Sequence, residues 1–365
     1  MRQSLIAAGM FLLTGGMVGC GTSSTQEKED LIVVDVSKDY PKKELILQDL
    51  FDVEYIPLET TDEFVTLGWL QAIGKDVMII RNMFAADGDI FIMTYDLFGN
   101  FKRSFTFKEG EDEDTKSWVY YKAIFNFDRD HFICQDASSG RNFNGAYQDL
   151  EPRNIFLIVS KQDGSVVEEI KVPFEKKVSQ VLFDEKGIGM VNNPCIVPYE
   201  DRWLLTEPSC DTVYTYSSAE GLKPFIVRTP SIQSMSPEIF LFPGVVTDRY
   251  CFMQTVKKEL NLAMMDTYYR LMRTDLVYDR ETKEVSEYVL YNDDFTKEVP
   301  IANLVDEIFD LTVFNNDEIA FTWRINTPEL VEAYQEGHLK GKLKEIAAGM
   351  HEEDNPVIMV AKYKR

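Results

Sequence analysis

The chain has 365 residues, of which 61 are Asp or Glu and 38 are Lys or Arg, so its formal net charge at pH 7 is −23. A protein that binds nucleic acid needs a basic stripe for the phosphates, and this acidic composition argues against that class. An anionic membrane surface should likewise repel the folded part of the chain. The acidity leaves room for a hard cation such as calcium, but the composition predicts no cofactor.

Residues 1–19 have the pattern of an export signal. Arg2 gives a positive start and an apolar run follows over residues 5–18, with small residues before Cys20. This run is shorter than the roughly 20 apolar residues of a spanning helix. The quartet Met17 to Cys20 resembles the lipobox of bacterial lipoproteins, although leucine is usual where Met17 stands. The resemblance implies lipid attachment at Cys20; the alternative is an ordinary cleaved signal with a chance cysteine.

Residues 20–30 are predicted to be a flexible tether. The stretch from Gly21 to Asp30 contains no apolar residue, so it cannot bury enough surface to fold. Loss of residues 1–19 removes one cation and no acid, which leaves 37 Lys and Arg against 61 Asp and Glu, a net charge of −24. Each buried acyl methylene contributes about 0.8 kcal/mol, so lipid chains alone can hold such a protein on a membrane. We therefore expect an envelope location, on the outer membrane, with the lipid as the only membrane contact.

Four cysteines remain after Cys20, and none forms a CxxC pair. Isolated cysteines between apolar residues are more often small buried side chains than metal ligands. An oxidising compartment permits a disulfide, and Cys195 with Cys210 is the first pair to consider.

Residues 31–365 are predicted to form one all-β domain, because short β-rich runs alternate with turns up to about residue 327. Turn sequences such as Phe98-Gly99-Asn100 and Gln162-Asp163-Gly164-Ser165 separate them. The runs with the strongest strand pattern are Val77 to Ile80, Ile90 to Thr94, Phe101 to Phe107, His131 to Cys134, Ile155 to Val159, Val166 to Val172, Trp203 to Thr206, Thr212 to Tyr216, Leu271 to Tyr278, Tyr288 to Tyr291 and Ile319 to Trp323.

The runs recur in a larger unit of about 50 residues, which is typical of the blades of a β-propeller. Five units can be marked, and Leu31 to Thr60 is left over; the unit boundaries are 65–110, 116–174, 178–229, 239–297 and 305–365. When the helical insert is set aside, the number of remaining residues suits six blades of roughly 50 residues each. A propeller closes its ring by placing N-terminal and C-terminal strands in one sheet, which would give the left-over segment a place.

One segment, about 327–351, breaks the β pattern. Apolar residues recur there at near-helical spacing, and Thr327 is a plausible N-cap with Pro328 at the first helical position. Gly337 and Gly341 should divide the segment into two short helices. The final run, Pro356 to Tyr363, returns to a strand pattern. The sequence thus predicts a short helical insert before the C-terminal strand.

Three stretches resemble the six-bladed β-propeller lipoproteins of the Bacteroidetes: Glu54 to Thr61 (EYIPLETT), Asp211 to Tyr214 followed by Lys223 to Phe225, and Glu353 to Val357. The resemblance implies a six-bladed ring and an envelope location, and it carries over no catalytic residue. Many relatives have a Gly-Pro-Gly-Glu-Tyr-like loop after the first blade. This chain has Gly110 to Asp114 there instead, which leaves the role of that loop in doubt.

Motifs of known chemistry are weak in this sequence. It has no G-x-S-x-G nucleophile motif, and its three histidines, His131, His338 and His351, are too dispersed for a zinc site. The acidic pairs at 111–114 and 293–294 do not match a calcium loop, and we expect them to be solvated. Two facing carboxylates of a glycosidase could still converge in space, because acids are abundant.

Aromatic and cationic residues meet at the ends of several predicted strands. They are Trp118, Tyr121, Arg202, Trp203, Trp323 and Arg324. Aromatic faces stack on sugars and arginine binds carboxylates, so these side chains could line a ligand surface. The alternative is that the aromatic rings pack between blades.

The sequence favours a lipid-anchored, non-catalytic binding module for a glycan, a peptide or an envelope protein. The first alternative is a propeller enzyme, such as a metal-dependent lyase, a lactonase or a glycosidase. The second is an accessory subunit of an outer-membrane uptake complex.

Overall fold

The structure is a computed structural model that describes residues 31–61, 65–66, 69–82, 90–107, 121–136, 156–191, 193–264, 271–296, 300–301, 313–314 and 318–364. Residues 31–365 form one compact unit. Among the described residues, no helix has the length and apolar character needed to cross a membrane.

The N-terminal part of this unit contributes strands to three different sheets. Its elements are β1 (Ile32–Asp35), β2 (Lys42–Ile46), the one-turn helix α1 (Leu47–Leu50) and β3 (Phe51–Pro57). The segment from Leu31 to Thr60, which belonged to none of the five units marked in the sequence, therefore adds strands to sheets formed mainly by later parts of the chain.

Sheets 1 and 2 follow, and in each of them four consecutive strands form an antiparallel meander. Sheet 1 consists of β4 (Trp69–Ile73), β5 (Met78–Asn82), β6 (Ile90–Tyr95) and β7 (Phe101–Phe107). Sheet 2 consists of β8 (Tyr121–Asn126), β9 (His131–Asp136), β10 (Phe156–Ser160) and β11 (Val166–Ile170). After sheet 2 comes a two-stranded hairpin of β12 (Val181–Asp184) and β13 (Gly187–Met190). Gly99 and Gly164 lie in two of the predicted turns with positive φ, which confirms both turns.

Sheets 3 and 4 have the same meander with one additional strand at the outer edge. Sheet 3 consists of β14 (Ile196–Tyr199), β15 (Arg202–Thr206), β16 (Thr212–Ser217) and β17 (Gly221–Thr229). Sheet 4 consists of β18 (Ile239–Val246), β19 (Tyr250–Leu260), β20 (Leu271–Asp279) and β21 (Glu284–Tyr291). The additional strands are β1, parallel to β17, and β2, parallel to β21. Short strands β22 (Pro300–Ile301) and β23 (Val313–Phe314) pair with β21 and β4.

Sheet 5 joins the two ends of the domain. Its strands are β24 (Ile319–Ile325), β25 (Val357–Tyr363) and the N-terminal β3, which pairs with β25 in antiparallel register from Val357↔Pro57 to Tyr363↔Phe51. The predicted mixing of N-terminal and C-terminal strands in one sheet is confirmed.

The helical insert lies between β24 and β25, as predicted. Its two helices are α2 (Thr327–Gln335) and α3 (Gly341–Ala347), and Gly337 and Gly341 have positive φ between and at the start of them. The N-cap prediction is wrong: Asn326 is the N-cap of α2 and Thr327 is its first residue. The reason is that the Thr327 hydroxyl donates a hydrogen bond to the Asn355 carbonyl, 3.0 Å away, instead of capping the helix.

Sheets 2, 3, 4 and 5 pack on one another in chain order, and sheet 5 also packs on sheet 1. One apolar cluster joins sheets 2, 3 and 4, and a second joins β1 with sheets 3 and 4. A third joins sheets 4 and 5 with the helices. The fourth joins sheet 5 to sheet 1, where Ile358 and Val360 meet Met78 and Ile80. The core therefore consists of apolar layers between neighbouring sheets.

Two of the stretches that resemble the propeller lipoproteins meet where sheet 5 reaches sheet 1. Buried Asn355 donates to the Glu59 carbonyl at 2.9 Å and accepts from the Thr66 amide at 2.7 Å. The Glu59 carboxylate accepts a hydrogen bond from the Phe101 backbone amide at 2.7 Å. The backbone amide of Glu59 donates to the Gly99 carbonyl. These stretches thus hold the first and last sheets together.

Cys195 and Cys210, the first pair to consider from the sequence, do not form a disulfide in this structure, and the other two described cysteines are free as well. Buried Cys195 lies 3.9 Å from the carbonyl of Asn193, and the sulfur of Cys210 accepts the Thr212 amide at 3.4 Å. Burial raises the pKa of the Cys210 thiol.

Candidate functional site

Two of the residues singled out from the sequence, Cys20 and Trp118, lie outside the described residues, as does the acidic stretch 111–114. Tyr121 is the first residue of β8, but its side chain is outside the described part.

Arg202 and Trp203 lie at the start of β15, and both contact other side chains of the protein. The Arg202 guanidinium lies 2.8 Å from the Glu200 carboxylate and 4.8 Å over the ring of Tyr199. The ring of Trp203 is 5.4 Å from that of Phe125 in sheet 2. Trp203 therefore packs between two sheets, as in the alternative interpretation of the aromatic residues.

Trp323 and Arg324 lie two sheets away, on β24. They stand opposite Met359 and Ile358 of β25, and half-buried Trp323 packs against the apolar cluster of sheets 4 and 5. The two aromatic and cationic pairs are thus on sheets 3 and 5, which have sheet 4 between them. Their role in ligand binding stays a prediction.

The acidic pair Asp293 and Asp294 is bound by donors of its own chain. Lys340 lies 2.8 Å from the Asp293 carboxylate, and the hydroxyl of Tyr55 donates to Asp294 at 2.7 Å. The side-chain amide of Gln48 donates to the same Asp294 carboxylate at 3.1 Å. Burial raises the pKa of Tyr55, so this hydroxyl remains a donor. The pair links α1, sheet 4 and the helical insert, and in the described part of the chain no three His, Cys, Asp or Glu side chains are grouped as metal ligands are.

A row of four polar side chains crosses the face of sheet 4; we call Asn193, Gln254, Arg273 and Asp275 the polar row. Gln254 is fully buried in the middle of β19, and its carbonyl oxygen accepts from Asn193 at 2.8 Å and from Arg273 at 2.9 Å. Its amide donates to Asp275, which is directly opposite on β20, at 2.9 Å. Both groups of the Gln254 amide therefore hold a neighbour in a fixed position.

The polar row runs from the interior to the surface. Asn193 is buried just before β14, whereas Arg273 and Asp275 are half-buried. Burial raises the pKa of Asp275, although Gln254 and Arg273 act in the opposite direction. The side-chain oxygen Oδ1 of Asn193 is buried and has no hydrogen-bond partner in the part of the chain that the structure describes. Such a row combines acceptors, donors and two side chains of opposite charge that each contact Gln254, which is the composition of a site for a polar ligand.

A second polar cluster lies beside sheet 3. Lys177 contacts both carboxylate oxygens of Glu207, at 3.0 and 2.9 Å, and both side chains are buried. Glu207 also accepts from the amide of Ser209, whose hydroxyl accepts from the amide of Val178. The cluster joins the connection after sheet 2 to the loop between β15 and β16. Every polar group named here has a partner, so we regard it as structural.

Sequence reasoning missed the polar row because its members are isolated polar residues in apolar surroundings. Gln254 interrupts the run Tyr250 to Val256, which is otherwise apolar except for Thr255. Asp275 stands between Thr274 and Leu276 on the paired strand. A polar residue at a core position of a strand pattern is the signal that could have pointed to the row. The pairing of Gln254 with Asp275 depends on the strand register, which that pattern does not give.

Comparison with known proteins agrees with the arrangement of the sheets. Residues 22–107 match a family described as a 6-bladed beta-propeller. The chain is a β-propeller. The described residues contribute five sheets of three or more strands, each of them a blade, besides the two-stranded hairpin of β12 and β13. Six is the number of blades given for the matched family.

Two solved structures are similar to this propeller over most of its length. One is described as an exported protein of Bacteroides fragilis. It is 14% identical to this chain, the match covers 92% of this chain and 100% of the other, and the TM-score is 0.45. The other is a member of the DUF4221 family from Bacteroides vulgatus, with 9% identity, coverage of 86% and 96%, and a TM-score of 0.37. At these TM-scores the likeness carries over no ligand and no residue role. No curated protein matches the chain.

Proposed function

We propose that this propeller is a lipid-anchored binding module of the cell envelope, which holds a glycan or a peptide at the polar row. The observation that carries the proposal is the bonding of Gln254, which fixes Arg273 and Asp275 in half-buried positions. Groups that are held in place before a ligand arrives lose little freedom on binding, and they therefore favour affinity and specificity.

The chemistry of the row suits a neutral or zwitterionic polar ligand. Arg273 offers charged donors in a planar arrangement, and Asp275 offers carboxylate acceptors beside it. Sugar hydroxyls and peptide amides use both kinds of partner. Because the chain carries a large negative charge, a strongly anionic ligand would be repelled outside the immediate reach of Arg273.

The anchor and the location rest on the sequence of residues 1–30. The export signal, Cys20 and the apolar-free tether support attachment through lipid to the outer membrane. Mass spectrometry of the mature N-terminal peptide tests this directly: we expect a lipid-modified Cys20 at the first position. A Cys20→Ser variant that still partitions into membranes would contradict the anchor.

Arrays of glycans and peptides test the binding function. We expect the soluble protein from residue 31 onward to retain a set of ligands that Asp275→Asn and Gln254→Leu lose. A matched control is Asp39→Asn, a change at an exposed aspartate between β1 and β2 that is not part of the polar row. If the control and the two row variants retain the same ligands as the parent protein, the polar row is not the binding site.

A glycosidase is the rival function, and one observation favours it. Burial raises the pKa of Asp275, as a general acid requires, and the charge of Glu287 on the next strand acts on it in the same direction. On this alternative, Asp275→Asn would still bind the glycan but would no longer release reducing ends from it. Loss of binding without any release of sugar by the parent protein favours the binding module.

A further inference from the structure

Arg228, near the end of β17, is a buried arginine at the point where sheet 3 passes to sheet 4. Its side chain is 3% exposed. Its backbone amide donates to the Asp211 carbonyl at 2.9 Å, and its partner residue in β1 is Val34. Residues 31–61 and 193–264 contain both strands that pair with β17, and both ranges are described without a gap. The strand that carries Arg228 is therefore held by neighbouring strands on both sides.

The described residues do not use all the hydrogen-bond donors of the Arg228 guanidinium. Nη2 donates to Sδ of Met235 at 2.9 Å. Nη1 lies 3.7 Å from the Asp211 carboxylate, which itself accepts from the Ile232 backbone amide at 2.6 Å. Nε and Nη1 are buried and have no hydrogen-bond partner in the part of the chain that the structure describes. A thioether is a weak acceptor, so this guanidinium would gain from a stronger one.

Burial does not neutralise Arg228. It lowers the pKa of the guanidinium from 12.5 to about 10, and the Asp211 carboxylate acts in the opposite direction. The group is therefore still a cation at neutral pH. Buried donors without an acceptor are rare in native proteins, because water can no longer satisfy them. An acceptor oxygen beside Nε and Nη1 would remove this deficit.

Met235 is half-buried beside Arg228. It directly follows a single 3₁₀ turn, Ile232–Ser234, and its neighbours Ser234 and Ser236 are exposed, so a small oxidant can reach its sulfur. Oxidation converts a thioether into a sulfoxide, which is polar and offers an oxygen as acceptor. Because a methionine side chain has three rotatable bonds, rotation about the bond from Cγ to Sδ can turn this oxygen toward Arg228.

We infer that Met235 is an oxidation site, at which a hydroperoxide converts the thioether to a sulfoxide whose oxygen accepts hydrogen bonds from Arg228. A sulfur lone pair attacks one peroxide oxygen, so that an S–O bond forms and the O–O bond breaks. The proton of the transferred oxygen passes to the departing oxygen, which leaves as water when the oxidant is hydrogen peroxide. Methionine loses two electrons and the peroxide gains them. The site shares no residue with the polar row, and the inference does not depend on the proposed function.

The stereochemistry of the product follows from the contact with Arg228. Sulfur has two lone pairs, and the guanidinium occupies one of them. The peroxide therefore attacks the other lone pair, which yields mainly one of the two sulfoxide epimers. Met272 on β20 provides the comparison, because it is 42% exposed and thus more accessible than Met235. Attack at either lone pair of Met272 gives both epimers.

Peptide mapping by mass spectrometry after treatment with hydrogen peroxide tests this stereochemistry. The purified protein is oxidised while folded, and its sulfoxides are then treated with reductases that each accept one epimer. We expect an epimer ratio of about 5 or more at Met235 and of about 1 at Met272. Oxidation in urea should bring the ratio at Met235 to about 1 as well. Equal epimers at Met235 in the folded protein would overturn the inference, as would a Met235 that stays reduced while Met272 is converted.

Thermal melts test whether Arg228 binds the sulfoxide oxygen. Met235→Leu cannot be oxidised at this position, so it reports the effect of peroxide on the other methionines. We expect oxidation to change the Tm of the parent protein more favourably than that of Met235→Leu, by about 2 °C or more. If oxidation lowers the Tm of the parent as much as that of Met235→Leu, or more, the oxygen is not bound by Arg228 and the inference is wrong.

Met235→Gln provides a second test that needs no oxidant. Its carboxamide offers an acceptor oxygen to Arg228, whereas the side chain of Met235→Leu offers none. We expect Met235→Gln to melt about 2 °C or more above Met235→Leu. The matched controls are Met272→Gln and Met272→Leu, which should melt alike because the position is exposed. A gain from glutamine that is equal at the two positions, or no gain at Met235, would contradict the inference.

Discussion

Lys177 and Glu207 face each other in the interior beside sheet 3, with side chains that are 5% and 1% exposed. The ammonium lies within 3.0 Å of both carboxylate oxygens and 4.8 Å over the ring of Phe174. Removing two charges from water is costly, and their attraction offsets this cost only while both are present. The pair therefore specifies how the connection after sheet 2 meets the loop after β15.

Loss of one member of this pair should be worse than loss of both. We expect Glu207→Gln to lower the free energy of unfolding by about 3–5 kcal/mol, because Lys177 stays buried without its counter-ion. The double variant Lys177→Met with Glu207→Leu should recover most of that loss. Urea unfolding followed by tryptophan fluorescence measures both. Equal losses of unfolding free energy in the single and the double variant would show that the unpaired buried charge is not the cause of the destabilisation.

Asn355 should stabilise the contact between the first and last sheets. Its side chain connects the segment before β25 to the Glu59 carbonyl and the Thr66 amide, and the Thr66 amide lies in buried surroundings. Asn355→Ala leaves that amide without its acceptor, so we expect a loss of about 1–3 kcal/mol in unfolding free energy. Asn261→Ala is the control, because the Asn261 carboxamide accepts one amide in a surface turn. Similar losses from the two changes would contradict the role given to Asn355.

Gly99 and Gly164 allow the cost of a left-handed backbone conformation to be compared with the cost of a steric clash. Both have positive φ, +84° and +73°. A Cβ on Gly99 would lie 2.0 Å from the Pro57 carbonyl oxygen, whereas nothing lies within 4 Å of one on Gly164. Gly164→Ala should cost about 1–2 kcal/mol, the usual cost of the left-handed region. Gly99→Ala should cost clearly more, because the contact between sheets 1 and 5 must open; thermal melts compare the two, and equal shifts would refute this reason.

Local pattern was enough to predict about half of the strands and the helical insert, although strands such as β18 and β19 were not singled out. The run Phe101 to Phe107 is a strand with the predicted bounds, and the two helices are divided near Gly337 and Gly341. These features depend on side-chain period and on glycine, which are properties of neighbouring residues. The sharing of one sheet by N-terminal and C-terminal strands was predicted from the need of a ring to close, which is a topological rule. Of the N-terminal segment 31–60, only β3 lies in that sheet.

Features that depend on register and on distant segments were not predictable. The positions of β1 and β2 at the outer edges of sheets 3 and 4 have no local signal, because a short apolar run fits any edge. The polar row has the same character, since Gln254 meets Asp275 only through the pairing of β19 with β20. Thr327 shows how a tertiary contact outweighs a local preference: its hydroxyl binds the Asn355 carbonyl rather than its own helix.

Asp279 should make the stability of sheet 4 depend on pH in the acid range. Burial by itself raises the pKa of this carboxyl, but hydrogen bonds from Arg249, Lys43 and two backbone amides outweigh burial and lower the pKa from an ordinary 3.8 to about 2. Because the folded pKa is the lower one, the ionised group stabilises the folded state above about pH 4. This contribution disappears as the pH falls from about 4 to about 2.

The variant Asp279→Asn isolates that contribution. At pH 6 we expect it to unfold more easily than the parent protein, by about 1.5–3 kcal/mol, because charge-assisted hydrogen bonds are lost. The difference should shrink between about pH 4 and pH 2, where the parent carboxyl takes up its proton. Exposed Asp39→Asn is the control and should differ little from the parent at any pH. Urea unfolding at a series of pH values gives these differences, and a constant gap between Asp279→Asn and the parent down to pH 2 would mean that the lowered pKa does not contribute to folding.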